Sequence, residues 1–320
     1  LHSYLFFRIP LWNPNNFLGK SLWTVTFLGT KFFRNITILI CILGLWQVGQ
    51  QFDVFTATVI DFYNFSSIWK YLLTIIILKF IHELAHAYAA KKYGANVPAM
   101  GIALIILFPV AYTDVNDVWK MPKKQQRLIV GAAGIIAEIY IAAWATFFWV
   151  YLPDGGFRTA MFLVATTTWV STVIINASPF LRFDGYFLLM DWVETPNLHQ
   201  RSFTLARWWL RKKIFGLKEL LPETTSEIKF KLMVLFAHFV WAYRLIVFLG
   251  IAVLVFYKVP KPLGPTLALL EIYWFIGKPI KNEISVWFDN RKEIMNSKRT
   301  LKSLLVITAI AGALIYPWDT

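Results

Sequence analysis

The chain has 320 residues and a mass of 37.1 kDa, with 58% hydrophobic residues, 16% charged residues and a mean hydropathy of +0.55. Ordinary globular domains hold about 45–50% apolar and about 25% charged residues, so a soluble domain is excluded. Disorder is excluded too, because this much apolar and aromatic surface does not stay solvated. The formal net charge of +14 sits between apolar runs, the pattern of topology-setting loops and not of a nucleic-acid binder. A lone cysteine, Cys41, removes intramolecular disulfides and CxxC chemistry.

A bilayer core of about 30 Å takes roughly 17–25 apolar residues per helix. The aromatic stretch Leu1–Leu28 reads as an interfacial segment. Spans are then expected at Ile36–Val54, Ile68–Lys91, Leu128–Leu152, Phe157–Ile175, Leu232–Tyr257, Leu267–Ile280 and Leu304–Trp318. The first is interrupted by Gln47, Gln50 and Gln51, and the sixth by Glu271. Basic residues flank the spans: Lys31 and Arg34, Lys91 and Lys92, Lys120 to Arg127, Arg207 to Lys213, and Arg291 to Arg299. With seven spans these all fall on one side, which predicts a cytoplasmic N-terminus and an outside C-terminus.

Two segments depart from the spanning pattern. Val97–Thr113 is apolar but short and carries Pro109, so it reads as a re-entrant hairpin or a pair of membrane-embedded strands whose backbone protein must bury. Arg201–Gly216 mixes Trp208, Trp209 and Leu210 with Arg207, Arg211, Lys212 and Lys213, as an interfacial amphipathic helix does.

Ionisable groups inside a span are costly, so each marks a functional hypothesis. The second span holds Lys79, His82, Glu83 and His86 at i, i+3, i+4 and i+7. The motif His82-Glu83-x-x-His86 puts two imidazoles on one helix face for a single zinc ion, with Glu83 in reach of the attacking water as general base. Five histidines and nine glutamates in random order would produce this motif about 0.002 times. Catalytic zinc takes three protein ligands. Asp184 is the candidate for the third, in Asn176-Ala-Ser-Pro179-Phe-Leu-Arg-Phe-Asp184-Gly185, where Pro179 ends a helix and Gly185 permits a turn; a plain turn or helix cap is the other reading of Asp184. Lys79 could tune Glu83, hold a substrate carbonyl or form an ion pair. Thr168, Thr172 and Asn176 form a polar stripe, Glu138 lies on the Gly131/Gly134 face, and Arg244 with Glu271 reads as a buried pair.

HExxH on one span followed by N-x-x-P-x-x-x-x-D-G at a later helix break resembles the site-2 proteases, the intramembrane zinc metalloproteases. The resemblance implies zinc bound by His82, His86 and Asp184, Glu83 as base, and Asn176 holding the substrate carbonyl or its oxyanion. Gly131-Ala-Ala-Gly134-Ile-Ile-Ala-Glu138 is similar to the small-residue stretch of that family, with Ile135 in place of the usual proline. Pro109-x-x-Tyr112-Thr-Asp114-x-x-Asp117-x-Trp119 and Leu181-Arg-Phe-Asp-Gly-Tyr-Phe are similar to the bacterial peptide zinc metalloprotease branch associated with membrane-fusion adaptor proteins.

The fold expected is an all-α integral membrane protein of about seven transmembrane helices, with a short re-entrant hairpin and a three-helix metalloprotease core. One polytopic membrane domain would span 1–320, with 68–197 the protease core and 198–320 accessory helices. The expected function is zinc-dependent cleavage of membrane-embedded or membrane-associated protein or peptide substrates in a bacterial cytoplasmic membrane. Expected partners are the substrate, the bilayer and a membrane-fusion adaptor or larger membrane complex, with no nucleic acid. The alternative is a proteolytically silent component of a peptide-export or other membrane complex, against which the intact base Glu83 argues.

Overall fold

The computed structural model describes residues 6–62, 68–105, 108–295, 297, 299 and 300. They form two compact units, Leu1–Glu194 and Thr195–Thr320.

The first unit opens with strand β1 (Phe6–Trp12) and helix α1 (Asn15–Thr26), where the sequence suggested an interfacial segment. Helix α2 (Lys31–Gln50) starts at Thr30, whose hydroxyl accepts the Phe33 N–H at 3.2 Å and satisfies a donor that the first turn leaves open. The expected first span, Ile36–Val54, is corrected at its end. The helix breaks at Gln51 (φ −115°, ψ 35°), and α3 (Phe52–Phe62) follows, its Phe55 ring against Trp149 and Phe162. Helix α4 (Ile68–Lys92) carries the HExxH motif.

Strands β2 (Met100–Ile105) and β3 (Phe108–Thr113) pair antiparallel in the region expected to be a hairpin. β1 pairs antiparallel with the other edge of β2, giving the order β1-β2-β3. The fold is therefore mostly helical but not all-α: the aromatic N-terminal stretch adds a third strand to the hairpin.

Helix α5 (Lys124–Tyr151) is the central helix of this unit and packs against α2, α4, α6 (Gly156–Trp169) and α7 (Asp184–Trp192). Its most apolar stretch is 39% buried against 11% for that of α2, whose Trp46 and Ile42 remain exposed as on a lipid-facing surface. Small residues on α5, among them Gly134, Ala142, Ala143 and Ala145, let neighbouring helices approach closely. Polar side chains tie the packing: Trp144 Nε1 donates to Thr37 Oγ1 at 3.2 Å, and Trp169 Nε1 to Thr146 Oγ1 at 3.0 Å. Such bonds contribute about 0.6–1.7 kcal/mol each in a membrane protein. α6 runs on into a π-helical turn, Val170–Asn176, closed by the Ala177 N–H on Thr172 O at 2.7 Å.

The second unit contains α8 (Leu198–Ile214), α9 (Glu227–Lys258), α10 (Leu263–Ile272), α11 (Lys278–Asp289) and α12 (Arg291–Met295). α8 is the helix expected at Arg201–Gly216. It buries Leu198, His199, Ser202, Leu205 and Ala206, and packs against α9. Lys212 and Lys213 lie over the Trp208 and Trp209 rings at 4.7 and 4.5 Å. Arg244, expected beside Glu271, instead donates to His199 Nδ1 at 3.2 Å, and His199 stacks on Phe203 and Phe236.

Among the described residues four helices are long and apolar enough to cross a membrane: α2, α4, α5 and α9. The expected span Phe157–Ile175 corresponds to α6 with its π turn. The expected span Leu267–Ile280 is divided by a second π turn, Tyr273–Gly277, between α10 and α11. Leu304–Trp318 lies outside the described residues.

Candidate active site

Both histidines of the motif point from α4 toward α5. His82 and His86 are buried, with Nε2 atoms 3.1 Å apart. Asp184 opens α7 just beyond the break after the π turn, and its Oδ2 lies 2.7 Å from His82 Nε2 and 3.7 Å from His86 Nε2. Among the described residues these three donors converge within 4.8 Å of one another. The structure thus brings together the three residues expected as ligands.

Two glycines make this convergence sterically open. A Cβ on Gly134 would overlap the His82 and His86 rings, so α5 can lie under both imidazoles only without a side chain there. A Cβ on Gly185 would overlap the Ala177 carbonyl, so the start of α7 can press against the end of the π turn only with glycine beside Asp184.

The donor set suits zinc. Zn–N and Zn–O bonds of about 2.0–2.2 Å in a tetrahedron place ligand atoms about 3.3–3.6 Å apart, and the observed separations of 2.7, 3.1 and 3.7 Å bracket that range. Each Nδ1 faces an acceptor, which directs Nε2 to the metal position. His86 Nδ1 lies 2.7 Å from Val130 O, and His82 Nδ1 lies 3.2 Å from Glu138 Oε1, at ion-pair distance though not aligned as a hydrogen bond.

Glu83 follows His82 on the same helix and lines a cavity of about 370 Å³ together with His86, Asp184, Tyr112, Thr113 and Arg127. β3 forms one wall, and Thr113 Oγ1 donates to Glu83 O at 3.1 Å. A second, apolar cavity of about 550 Å³ runs along α5 and α7 past Ala177 and Gly185, and no ligating side chain lines it.

Asn176 is buried at the end of the π turn, where its Nδ2 donates to Glu138 Oε2 at 3.1 Å. Thr172 Oγ1 donates to the same oxygen at 2.7 Å. Lys79 Nζ donates to Glu138 Oε1 at 2.7 Å, which makes it an ion-pair partner of Glu138. Glu138, fully buried, is the residue whose position the sequence under-read. The signal was present in its spacing of four from Gly134, one helical turn along the face that holds the histidines.

Residues 70–177 match Peptidase family M50. That stretch includes His82, Glu83, His86, Glu138 and Asn176 and stops short of Asp184. A Bacillus subtilis (strain 168) protein named "Putative peptide zinc metalloprotease protein YydH" is 26% identical over 148 residues, 44% of this chain and 55% of that protein. An uncharacterized protein of Methanocaldococcus jannaschii is 32% identical over 71 residues, 22% of this chain and 20% of that protein. The chain thus spans about half the length of the first relative and about a fifth of the second. No solved structure gives a significant match. The stretch similar to Peptidase family M50 thus begins on α4 with its HExxH motif and runs through α5 and α6 to the π turn, about a third of the chain.

Proposed function

We propose that this chain is a zinc-dependent endopeptidase that cuts membrane-embedded or membrane-associated protein or peptide substrates. The observation that carries the reading is the meeting of His82 Nε2, His86 Nε2 and Asp184 Oδ2 beside a cavity that Glu83 also lines. A zinc ion held by those three residues supplies Lewis acidity toward a scissile carbonyl and makes water nucleophilic near neutral pH. Glu83 takes a proton from the attacking water on its carboxylate and delivers it to the leaving nitrogen. Asn176 Nδ2 has two N–H groups, one of them on Glu138, and the other is assigned to the oxyanion that develops on the substrate carbonyl. The substrate backbone must be extended to be attacked. β3 is an outer strand of the sheet and walls the cavity, so strand addition along it would hold a peptide in that form.

A bacterial cytoplasmic membrane with the N-terminus inside, and a membrane-fusion adaptor or larger complex as partner, belong to the same proposal. They are supported by the loop charges and by the motif likeness around Tyr112 and Asp184.

The test is zinc content together with cleavage of a co-expressed single-span substrate library, for the wild type, Glu83→Gln and Asp184→Ala. The proposal expects about one zinc per chain in the wild type, zinc kept but cleavage lost in Glu83→Gln, and zinc weakened in Asp184→Ala. A metal-replete wild type without zinc would overturn it.

A further inference from the structure

Glu138 is a carboxylate with no exposure, set on a helix otherwise apolar in its middle, and four polar groups from two segments face it. Lys79 and His82 of α4 face Oε1 at 2.7 and 3.2 Å, while Thr172 and Asn176 of the π turn donate to Oε2 at 2.7 and 3.1 Å. A carboxylate at this depth is costly, and apolar packing would join three helices without it. Its arrangement matches a different need. The Oε1 side meets the Nδ1 edge of the very imidazole whose Nε2 faces Asp184. The two motif histidines are therefore held unequally: His86 by the neutral carbonyl of Val130, His82 by an anion.

We propose that Glu138, with Lys79 as its counter-charge, is the positioning residue that fixes the ring of His82 for the metal and anchors the π turn to the same point. This inference rests on the metal site proposed above. Glu83 and Asp184 already bring two carboxylates to the cavity, and Lys79 offsets the third, so orientation is gained without adding net negative charge. Gly134 and Glu138 divide the work along one face of α5. The glycine makes room for both rings, and the glutamate one turn later holds one of them from behind. Outer carboxylates of this kind orient a ligating imidazole and raise its basicity.

The experiment measures zinc affinity by chelator competition, and the absorption spectrum of the cobalt-substituted protein, on the full chain in detergent. Lys79→Met/Glu138→Leu removes both charges together, so no buried cation is stranded. It is expected to weaken zinc by about 10–100-fold and to shift the cobalt bands, with helical content and metal-free melting near those of the wild type. Glu138→Gln, which still presents a carbonyl toward His82 and Lys79, is expected to recover most of the affinity. If that double variant does not fold, Lys79→Met/Glu138→Met, whose unbranched apolar side chain is close to glutamate in size, replaces it with the same expected loss. Unchanged zinc affinity with an unchanged cobalt spectrum in the double variant that lacks both charges and the Glu138 carbonyl would overturn the inference and leave the protease reading standing. A wild type that takes up neither zinc nor cobalt would overturn both.

Discussion

Asp184 Oδ2 sits 2.7 Å from His82 Nε2, although one residue opens α7 and the other lies midway along α4. That contact depends on the break that follows Asn176 and on the close seating of Gly185 against Ala177. The Asp184 side chain is 30% exposed, so its removal leaves no large void. Asp184→Ala is expected to keep its helical content and to lose zinc by more than the roughly 10–100-fold that an outer partner costs. Chelator competition on the purified variant checks this; wild-type zinc affinity would refute the three-donor site.

The glycines of α5 give a paired prediction. Gly134→Ala puts a methyl group into the His82 and His86 rings, and both rings are held from behind by Glu138 and Val130, so they cannot simply swing away. Zinc binding should be lost, with an overpacking cost of about 1–3 kcal/mol. At Gly131 a Cβ would have Leu188 Cδ1 3.8 Å away as its nearest neighbour, an ordinary contact. Gly131→Ala should therefore be tolerated or stabilising, by up to about 1 kcal/mol from helix propensity. Equal zinc loss in both variants would count against the steric account.

At Asn176 the isosteric change should be the harsher one. Asn176→Asp would set a second carboxylate about where Nδ2 now lies 3.1 Å from Glu138 Oε2, and like charges that close disfavour the doubly ionised state. Asn176→Ala only removes one donor from a carboxylate that keeps those of Lys79 and Thr172, at a cost of about 1–3 kcal/mol. Thermal unfolding in detergent should rank the proteins wild type, Asn176→Ala, Asn176→Asp, from most to least stable.

The second unit carries an acid-sensitive contact outside the membrane spans. Arg201 Nε donates to Glu223 Oε2 at 2.8 Å, and its NH2 group reaches the other oxygen. The hydrogen bonds from Arg201 hold the Glu223 carboxyl below its ordinary value. A folded-state value below the unfolded one, about 4.3, gives stability that is present above that pH and is lost as pH falls through the lowered value. The contribution is modest, about 0.2–1 kcal/mol for a partly exposed pair. Glu223→Gln should melt lower than the wild type at pH 7, and the two should converge as the pH is lowered below about 4. A difference that persists undiminished in acid would refute the assignment.

The parts of the site set by one short stretch of chain were legible in the sequence. HExxH declares itself because three residues within five positions of one helix fix their own geometry, and Pro179 with Gly185 marked the break that frees Asp184. What stayed hidden depends on packing between helices. Lys79 could have served Glu83 or substrate until α5 brought Glu138 to it. The π turn leaves no periodic trace; in the folded chain Thr172 and Asn176 reach one oxygen of Glu138 from it. The sheet was seen in part. The paired strands were one of two readings of the short apolar run around Pro109, but Phe6–Trp12 (FFRIPLW) lacks the regular polar alternation that announces a strand. At Gln51, side chains too polar for a continuous span ended α2 earlier than the hydropathy suggested.

The two rims of the small sheet are unlike. β1 covers the free edge of β2 with a short strand that carries Arg8 and Pro10 and loses register between Pro10 and Trp12. A proline offers no N–H, and a charge or an irregularity discourages another strand from docking. β3, on the opposite rim, carries its proline near the start of the strand and presents Ala111 to Thr113 toward the cavity. The rim formed by β1 is thus poorly suited to accept a further strand, and β3 is the rim of the described sheet better suited to accept one.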